Sequence, residues 1–257
     1  MKEEIFFYVI GTAGSGKSTL TSTIKEWMVL NGLDAITVNL DPGAENLPYD
    51  PDVDIRDWIS LQEVMKTHGL GPNGAQIACA DMLALNTADV QKSIAMFKAD
   101  FILVDTPGQL ELFVFREAGK YLIQFLNPGR SMIGYLIDHA LARSASGFIS
   151  QLLLSISTNF RLQQPQINIL SKADMLTEHE EELIEGWSCD PHLLYDAVIQ
   201  EDASVYREMS ENLLHVLQDF GSFSPLQPTG KDNYRGIEDL YTLIQLSFKG
   251  GEDVMKD

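Results

Sequence analysis

Cysteine is nearly absent from this chain. Two residues in 257, Cys79 and Cys189, allow at most one disulfide and stand in no metal-type cluster. That scarcity fits a reducing, cytoplasmic setting. Positive charge is also thin: 18 Lys+Arg against 37 Asp+Glu give a formal charge of −19. Such a chain repels a nucleic-acid backbone, so direct DNA or RNA binding is not expected. No apolar run is long enough for a bilayer. The stretch at 5–10 is far too short and follows Glu3 and Glu4, the wrong flank for a signal peptide, so no membrane association is expected. Internal repeats, low-complexity tracts and Pro/Gly-rich linkers are missing too, and 1–257 reads as one domain. A hydrophobic content of 45% is enough to build a sizeable core.

The acidic excess is uneven. Between 175 and 220 there are twelve acidic residues and one basic residue, Arg207. The run reads either as solvated helix faces or as an acidic docking surface for a basic partner.

Apolar, β-branched runs at 5–10, 35–40, 101–105, 132–137, 166–170 and 222–226 are continuous rather than alternating, as expected of strands covered on both faces. Helical patterns at 17–31, 86–97, 110–126, 144–159, 178–186, 191–220 and 236–248 separate them. The alternation predicts an α/β fold of three layers, with a mainly parallel central sheet between helices. Two stretches exceed a minimal unit: the turn-rich, acidic segment at about 41–74 and a helical insertion at about 111–165. In the second, Tyr121, Leu122, Phe125 and Leu126 recur on one helical side, as do Phe148, Leu152 and Leu153 further on. They read as ordinary core or as an apolar groove for a client peptide.

The chemistry begins at Gly11-Thr12-Ala13-Gly14-Ser15-Gly16-Lys17-Ser18, which matches G-x-x-x-x-G-K-[ST] between a strand and a helix. Glycines let backbone N–H groups wrap phosphate oxygens, and the helix N-terminus adds a favourable dipole. In this reading Gly11, Ala13, Gly14, Ser15, Gly16 and Thr19 line the phosphates, Lys17 reaches the β and γ phosphates, and the Ser18 hydroxyl ligates Mg²⁺. The apolar strand at 101–104 ends in Asp105, which can hold the Mg²⁺ shell, and Gly108 follows at D-x-x-G spacing to sense a γ-phosphate. Ser171-Lys172-Ala173-Asp174 lies just after another strand, where GTPases carry N-K-x-D. The Asp174 carboxylate can accept from guanine N1–H and the exocyclic amine, and Lys172 can pack on the base. Ser171 stands in place of Asn, which leaves open what braces the loops. Gln227-Pro228-Thr229-Gly230 is read as a further base-side loop, with Gln227 at the nucleotide.

Gly71-Pro72-Asn73 completes the pattern. With the motifs above, with Val38-Asn39-Leu40-Asp41-Pro42-Gly43 and with Asn46-Leu47-Pro48-Tyr49, the chain resembles the GPN-loop GTPases over almost its whole length. Its compactness resembles the archaeal members. The resemblance implies a Mg²⁺-dependent GTPase that binds GTP and GDP. It also implies a homodimer in which each Gly71-Pro72-Asn73 enters the partner's phosphate site, with Asn73 near the γ-phosphate and the attacking water. A protein client related to RNA polymerase is implied by family analogy alone. Three further residues are candidate catalysts. Gln109 would orient water, Asp41 would hold Mg²⁺ through water or polarise the nucleophile, and Glu111 would assist. The strand order through Asp41, without a Ras-like hairpin, resembles the dimerising class that includes signal-recognition and MinD-type proteins, although Thr12 replaces the MinD-type lysine. Two alternatives stand beside the GTPase: an ATP-using P-loop kinase or ATPase, and a nucleotide-gated scaffold with little hydrolysis.

Overall fold

The computed structural model describes residues 4–202, 205–219 and 223–249. From the N-terminus these form β1 (Ile5–Gly11), α1 (Lys17–Leu30), β2 (Ala35–Asn39), β3 (Val53–Asp54), α2 (Leu61–His68) and α3 (Pro72–Ile94). The middle of the chain forms β4 (Phe101–Asp105), α4 (Leu110–Phe113), α5 (Glu117–Leu126), β5 (Ser131–Asp138), α6 (His139–Ala142) and α7 (Ala145–Leu162). Then follow β6 (Gln166–Ser171), α8 (Glu178–Cys189), α9 (Pro191–Gln200), α10 (Val205–Asp219), β7 (Gln227–Pro228) and α11 (Ile237–Lys249). The seven strands pair in the order β3-β2-β4-β1-β5-β6-β7, and every ladder is parallel.

Strand β1 is buried over its full length because successive side chains enter different cores. Phe6, Tyr8 and Ile10 join the larger cluster, beneath α3, α5 and α7. Ile5, Phe7 and Val9 join the smaller one, with Leu20, Ile24 and Met28 of α1 and Leu240 and Ile244 of α11. The sheet is thus sandwiched between two helical layers, as the apolar patterning predicts. Parallel pairing brings the C-terminal ends of β1, β2, β4, β5 and β6 to one edge, where ligands bind in folds of this kind.

Several boundaries differ from expectation. The helix read at 86–97 is the C-terminal part of a longer one: α3 starts at Pro72, with Gly71 as its N-cap. Proline suits the first helical position, where its missing N–H removes no helical bond. The segment at 41–74 is therefore not all turns, since β3, α2 and the first residues of α3 lie within it. The stretch at 110–126 breaks into α4 and α5, and that at 191–220 into α9 and α10, with residue 220 outside the described set. The final ladder is Gln227–Pro228 rather than 222–226, of which residue 222 lies outside the described set.

Leu122, Leu126, Phe148 and Leu152 are buried core, with Leu153 packed against them. Tyr121 and Phe125 are exposed and stack at 5.8 Å. Both cysteines are free, Cys79 buried and Cys189 exposed. Among the described residues no helix is long and apolar enough to cross a membrane.

One contact between the sheet and its smaller core is tight enough to test. A Cβ on Gly134 of β5 would come within 2.4 Å of the Phe7 ring and 3.0 Å of Ile169 Cδ1. Gly134→Ala is expected to cost about 1–3 kcal/mol and to lower the thermal midpoint by several degrees. An unchanged melting curve would contradict the packing.

Candidate functional site

The loop after β1 wraps because two of its glycines take conformations that side chains resist. Gly14 has φ +77° and Gly16 φ +99°, both in the left-handed region. The loop closes on itself through Ser15 N–H donating to Thr12 O at 3.2 Å. Lys17 opens α1 and is buried, 6% exposed. Its ammonium donates to Gly11 O at 3.0 Å, Thr12 O at 2.8 Å and Gly108 O at 3.3 Å. Burial pulls its pKa down, and the carboxylates of Asp105 and Asp41 pull it back up.

Asp105 ends β4 and is 1% exposed. Burial raises its pKa to about 6, against hydrogen bonds from Ser18 and Tyr49 and the charge of Lys17. The Tyr49 hydroxyl donates to Asp105 Oδ2 at 2.9 Å. The other oxygen, Oδ1, is buried without a hydrogen-bond partner. An orphaned buried carboxylate oxygen beside a serine hydroxyl fits a Mg²⁺ whose remaining ligands are water and phosphate oxygens. Among the described residues no group of three or more His, Cys, Asp and Glu could hold a metal unaided. Ser18 and Asp105 would therefore hold Mg²⁺ together with a bound nucleotide, and Asp41 lies within electrostatic reach of Asp105.

Asp41 follows β2 in a turn. Its Oδ1 accepts from Gly43 N–H at 2.8 Å, and its Oδ2 accepts from Gly108 N–H at 3.2 Å. Asp41, Gly108 and Lys17 therefore meet at one point. Gln109 and Glu111 stand beside it, exposed, as the N-cap and first turn of α4. Ala13, Gly14 and Thr19 are exposed on the phosphate loop and the start of α1.

On the other flank, the Ser171 hydroxyl donates to Ser15 O, and Lys172 Nζ donates to Gly14 O at 2.7 Å. Ser171 thus supplies the brace between the loops that an Asn side chain supplies elsewhere. Lys172 holds φ +56°, a conformation sparsely populated by non-glycine residues. Asp174 is exposed, and a Cβ on Gly230 would lie 2.9 Å from its Oδ1. The 227–230 loop therefore lies against Asp174. The Gln227 amide itself donates to Pro228 O and Gly236 O at 3.3 and 3.2 Å, so this side chain braces the turn before α11.

Gly71, Pro72 and Asn73 are exposed at the start of α3. The Asn73 side chain hydrogen-bonds to none of the described residues. A Cβ on Gly43 would lie 3.5 Å from Gln76 Nε2, so the Asp41 turn abuts the first turns of this helix.

Some participants carry no motif signal. Asp54 and Arg56 reach the site only through tertiary contacts, and Asn39 and Tyr49, which lie in the resembling stretches, gain their roles there the same way. So do Arg143, which pairs with Glu180 at 3.0 Å and donates to Met175 O at 2.8 Å, and Arg235, which meets Glu181 at 2.6 Å. His139 is buried, its Nδ1 without a hydrogen bond and 3.9 Å from Asp138 Oδ1. Burial lowers its pKa and the Asp138 charge opposes the shift.

Known proteins resemble this chain over most of its length. A family model described as conserved hypothetical ATP binding protein matches residues 9–250. GPN-loop GTPase 3 of Kluyveromyces lactis is 34% identical over 236 residues, covering 89% of this chain and 87% of that protein. GPN-loop GTPase QQT1 of Arabidopsis thaliana is 32% identical over 251 residues, covering 93% and 83%. The crystal structure of an apo-form GTPase from Pyrococcus abyssi superposes with a TM-score of 0.83 at 28% identity, covering 95% of this chain and 97% of that one.

The Ser171 brace yields a direct test. Ser171→Ala should weaken GDP binding about three- to tenfold, the worth of one buried hydrogen bond, in a calorimetric titration. Unchanged affinity would mean that the brace does not shape the phosphate loop.

Proposed function

The chain belongs to the GPN-loop GTPase family, and from that premise we propose that it binds and hydrolyses GTP as a homodimer whose two sites each borrow Gly71-Pro72-Asn73 from the partner. The observation that carries the reading is the convergence of Lys17, Asp105, Asp41 and Gly108 on one point, with the 171–174 segment tied to the phosphate loop beside them.

Each group has a role in phosphoryl transfer, a reaction that depends on positioning and charge stabilisation more than on covalent help. Lys17 exchanges its carbonyl partners for β and γ phosphate oxygens. The N–H groups of residues 14–18 cradle the same phosphates. Gly108 N–H turns to the γ-phosphate. Gln109 orients the attacking water, Asp41 accepts hydrogen bonds from it, and Glu111 assists from the first turn of α4. Ser18 and Asp105 would hold Mg²⁺, which would supply charge neutralisation for the transferred phosphoryl group. Asp174 reads guanine, with Lys172 against the base and the 227–230 loop behind it.

The unpartnered amide of Asn73 on an exposed helix start supports its use in trans. A helix N-terminus and a carboxamide both favour an anionic transition state, and Pro72 limits the freedom the tripeptide loses on docking. A nucleotide-state switch or assembly factor is the cellular role that fits such a composite site. A client related to RNA polymerase is proposed by family analogy alone, and a cytoplasmic location accords with the two free thiols. The family model's description favours a second reading, an ATP-using enzyme. Against it stands Asp174, whose carboxylate offers only acceptors and so matches the donors of guanine.

Two outcomes check this. Asn73→Ala should slow GTP hydrolysis about 10- to 100-fold while GDP affinity stays within twofold in a fluorescence titration; unchanged turnover would rule out Asn73. Mixing Asn73→Ala with Lys17→Ala subunits builds one composite site with an intact phosphate loop and an intact tripeptide. Turnover above that of either variant alone is expected, and none above it would contradict a shared site.

A further inference from the structure

We infer that Arg56 is a positioning residue that sets the preference between nucleoside triphosphate and diphosphate, by holding the Asp41 carboxylate on the Gly108 N–H. The inference rests on the GTP reading above and adds a residue and a discrimination that the reading does not contain.

The contacts run without a gap. Strand β3 pairs with β2 so that Asp54 lies opposite Asn39. Asn39 is fully buried. Its Nδ2 donates to Asp54 Oδ1 at 2.9 Å and to Asp41 O at 3.3 Å, while its Oδ1 accepts from Asp41 N–H at 3.0 Å. Arg56 closes the arrangement. Its Nε donates to both Asp54 oxygens at 3.0 and 2.9 Å, its Nη2 to Oδ2 at 2.5 Å, and its Nη1 to Ala44 O at 2.9 Å. The turn carrying Asp41 is thus tied at residue 41 by Asn39 and at residue 44 by Arg56, and both ties end on Asp54. Only a guanidinium offers donors in a planar fork that can satisfy a carboxylate and a carbonyl together; an ammonium offers a point charge.

Gly108 is where this clamp meets the nucleotide. Its C=O accepts from Lys17 and its N–H donates to Asp41. A γ-phosphate needs that N–H and carries its own negative charge. The Asp41 carboxylate and the γ-phosphate therefore compete for one donor and repel each other. A diphosphate ends before this point and leaves the Asp41 contact intact. A clamp that stiffens the turn consequently penalises the triphosphate and not the diphosphate. The same turn abuts Gln76 of α3, so its displacement by a γ-phosphate would press on the helix that begins with Gly71-Pro72-Asn73.

The test measures affinities of the full-length protein for GTPγS and GDP, each with Mg²⁺, and needs no hydrolysis. Arg56→Ala should shift the affinity ratio toward GTPγS on the order of tenfold, with GDP affinity within twofold of the wild type. Arg56→Lys retains a charge beside Asp54, guarding against loss of fold, and should shift the ratio in the same direction. In an Asp41→Asn background, Arg56→Ala should produce no further shift, because both changes act through one contact. The proposal is overturned if both nucleotides weaken in parallel, if the ratio stays fixed or moves toward GDP, or if the two substitutions add independently. A wild-type protein that binds neither nucleotide would instead refute the GTP reading, and the inference with it.

Discussion

A buried ammonium organises this crevice. Lys17 is almost completely shielded from water, yet it is met by three backbone carbonyls rather than by a direct carboxylate pair. Two of those carbonyls belong to the phosphate loop and the third to Gly108, after β4. The charge therefore pins two strand ends to each other while leaving its strongest electrostatic demand unmet. A direct salt bridge would have satisfied the lysine, and a phosphate would then have had to displace it. Carbonyls hold the lysine in place and yield more readily to an anion.

The same economy explains how a chain of net charge −19 accommodates a polyanion. At the phosphate loop the positive charge comes from Lys17, from Lys172 on Gly14 O and from backbone N–H groups at the head of α1. Acidic residues elsewhere are turned to structural use. Thr177 and Glu180 cap each other at the start of α8, Glu180 also meets Arg143, and Glu181 meets Arg235. Those pairs fasten α8 to the loops on both sides of Asp174. Part of the acidic run at 175–220 thus ties α8 to Arg143 and Arg235.

Much of this was legible in the sequence, for identifiable reasons. Strands β1, β4 and β5 are continuous apolar runs because both sheet faces are covered, and the phosphate loop announces itself through glycines that the backbone requires. Strands β3 and β7 are two residues long and have no pattern of their own; partner strands define them. The first half of α3 was hidden because Gly71-Pro72-Asn73 carries turn signals and the alanine-rich stretch after it has weak periodicity. Proline at the first helical position was the available clue. In the site, motif residues came out at the edge where the spacing put them. Tyr49 stood in a resembling stretch, but its contact with Asp105 did not show there, nor did Arg56 acting through Asp54, because such contacts join segments that only the fold brings together. Ser171 is the instructive case: a departure from N-K-x-D reads as a lost brace, whereas its shorter side chain reaches the same loop.

The central claim is that this crevice holds a guanine nucleotide, and the family model's own description names ATP. The decisive measurement is the ratio of GDP to ADP affinity in the wild type and in Asp174→Asn. A carboxylate facing two guanine donors predicts a wild-type preference for GDP of at least about a hundredfold, collapsing once the carboxylate becomes an amide. Equal affinities in the wild type, or a preference for ADP that the substitution leaves unaltered, would contradict it.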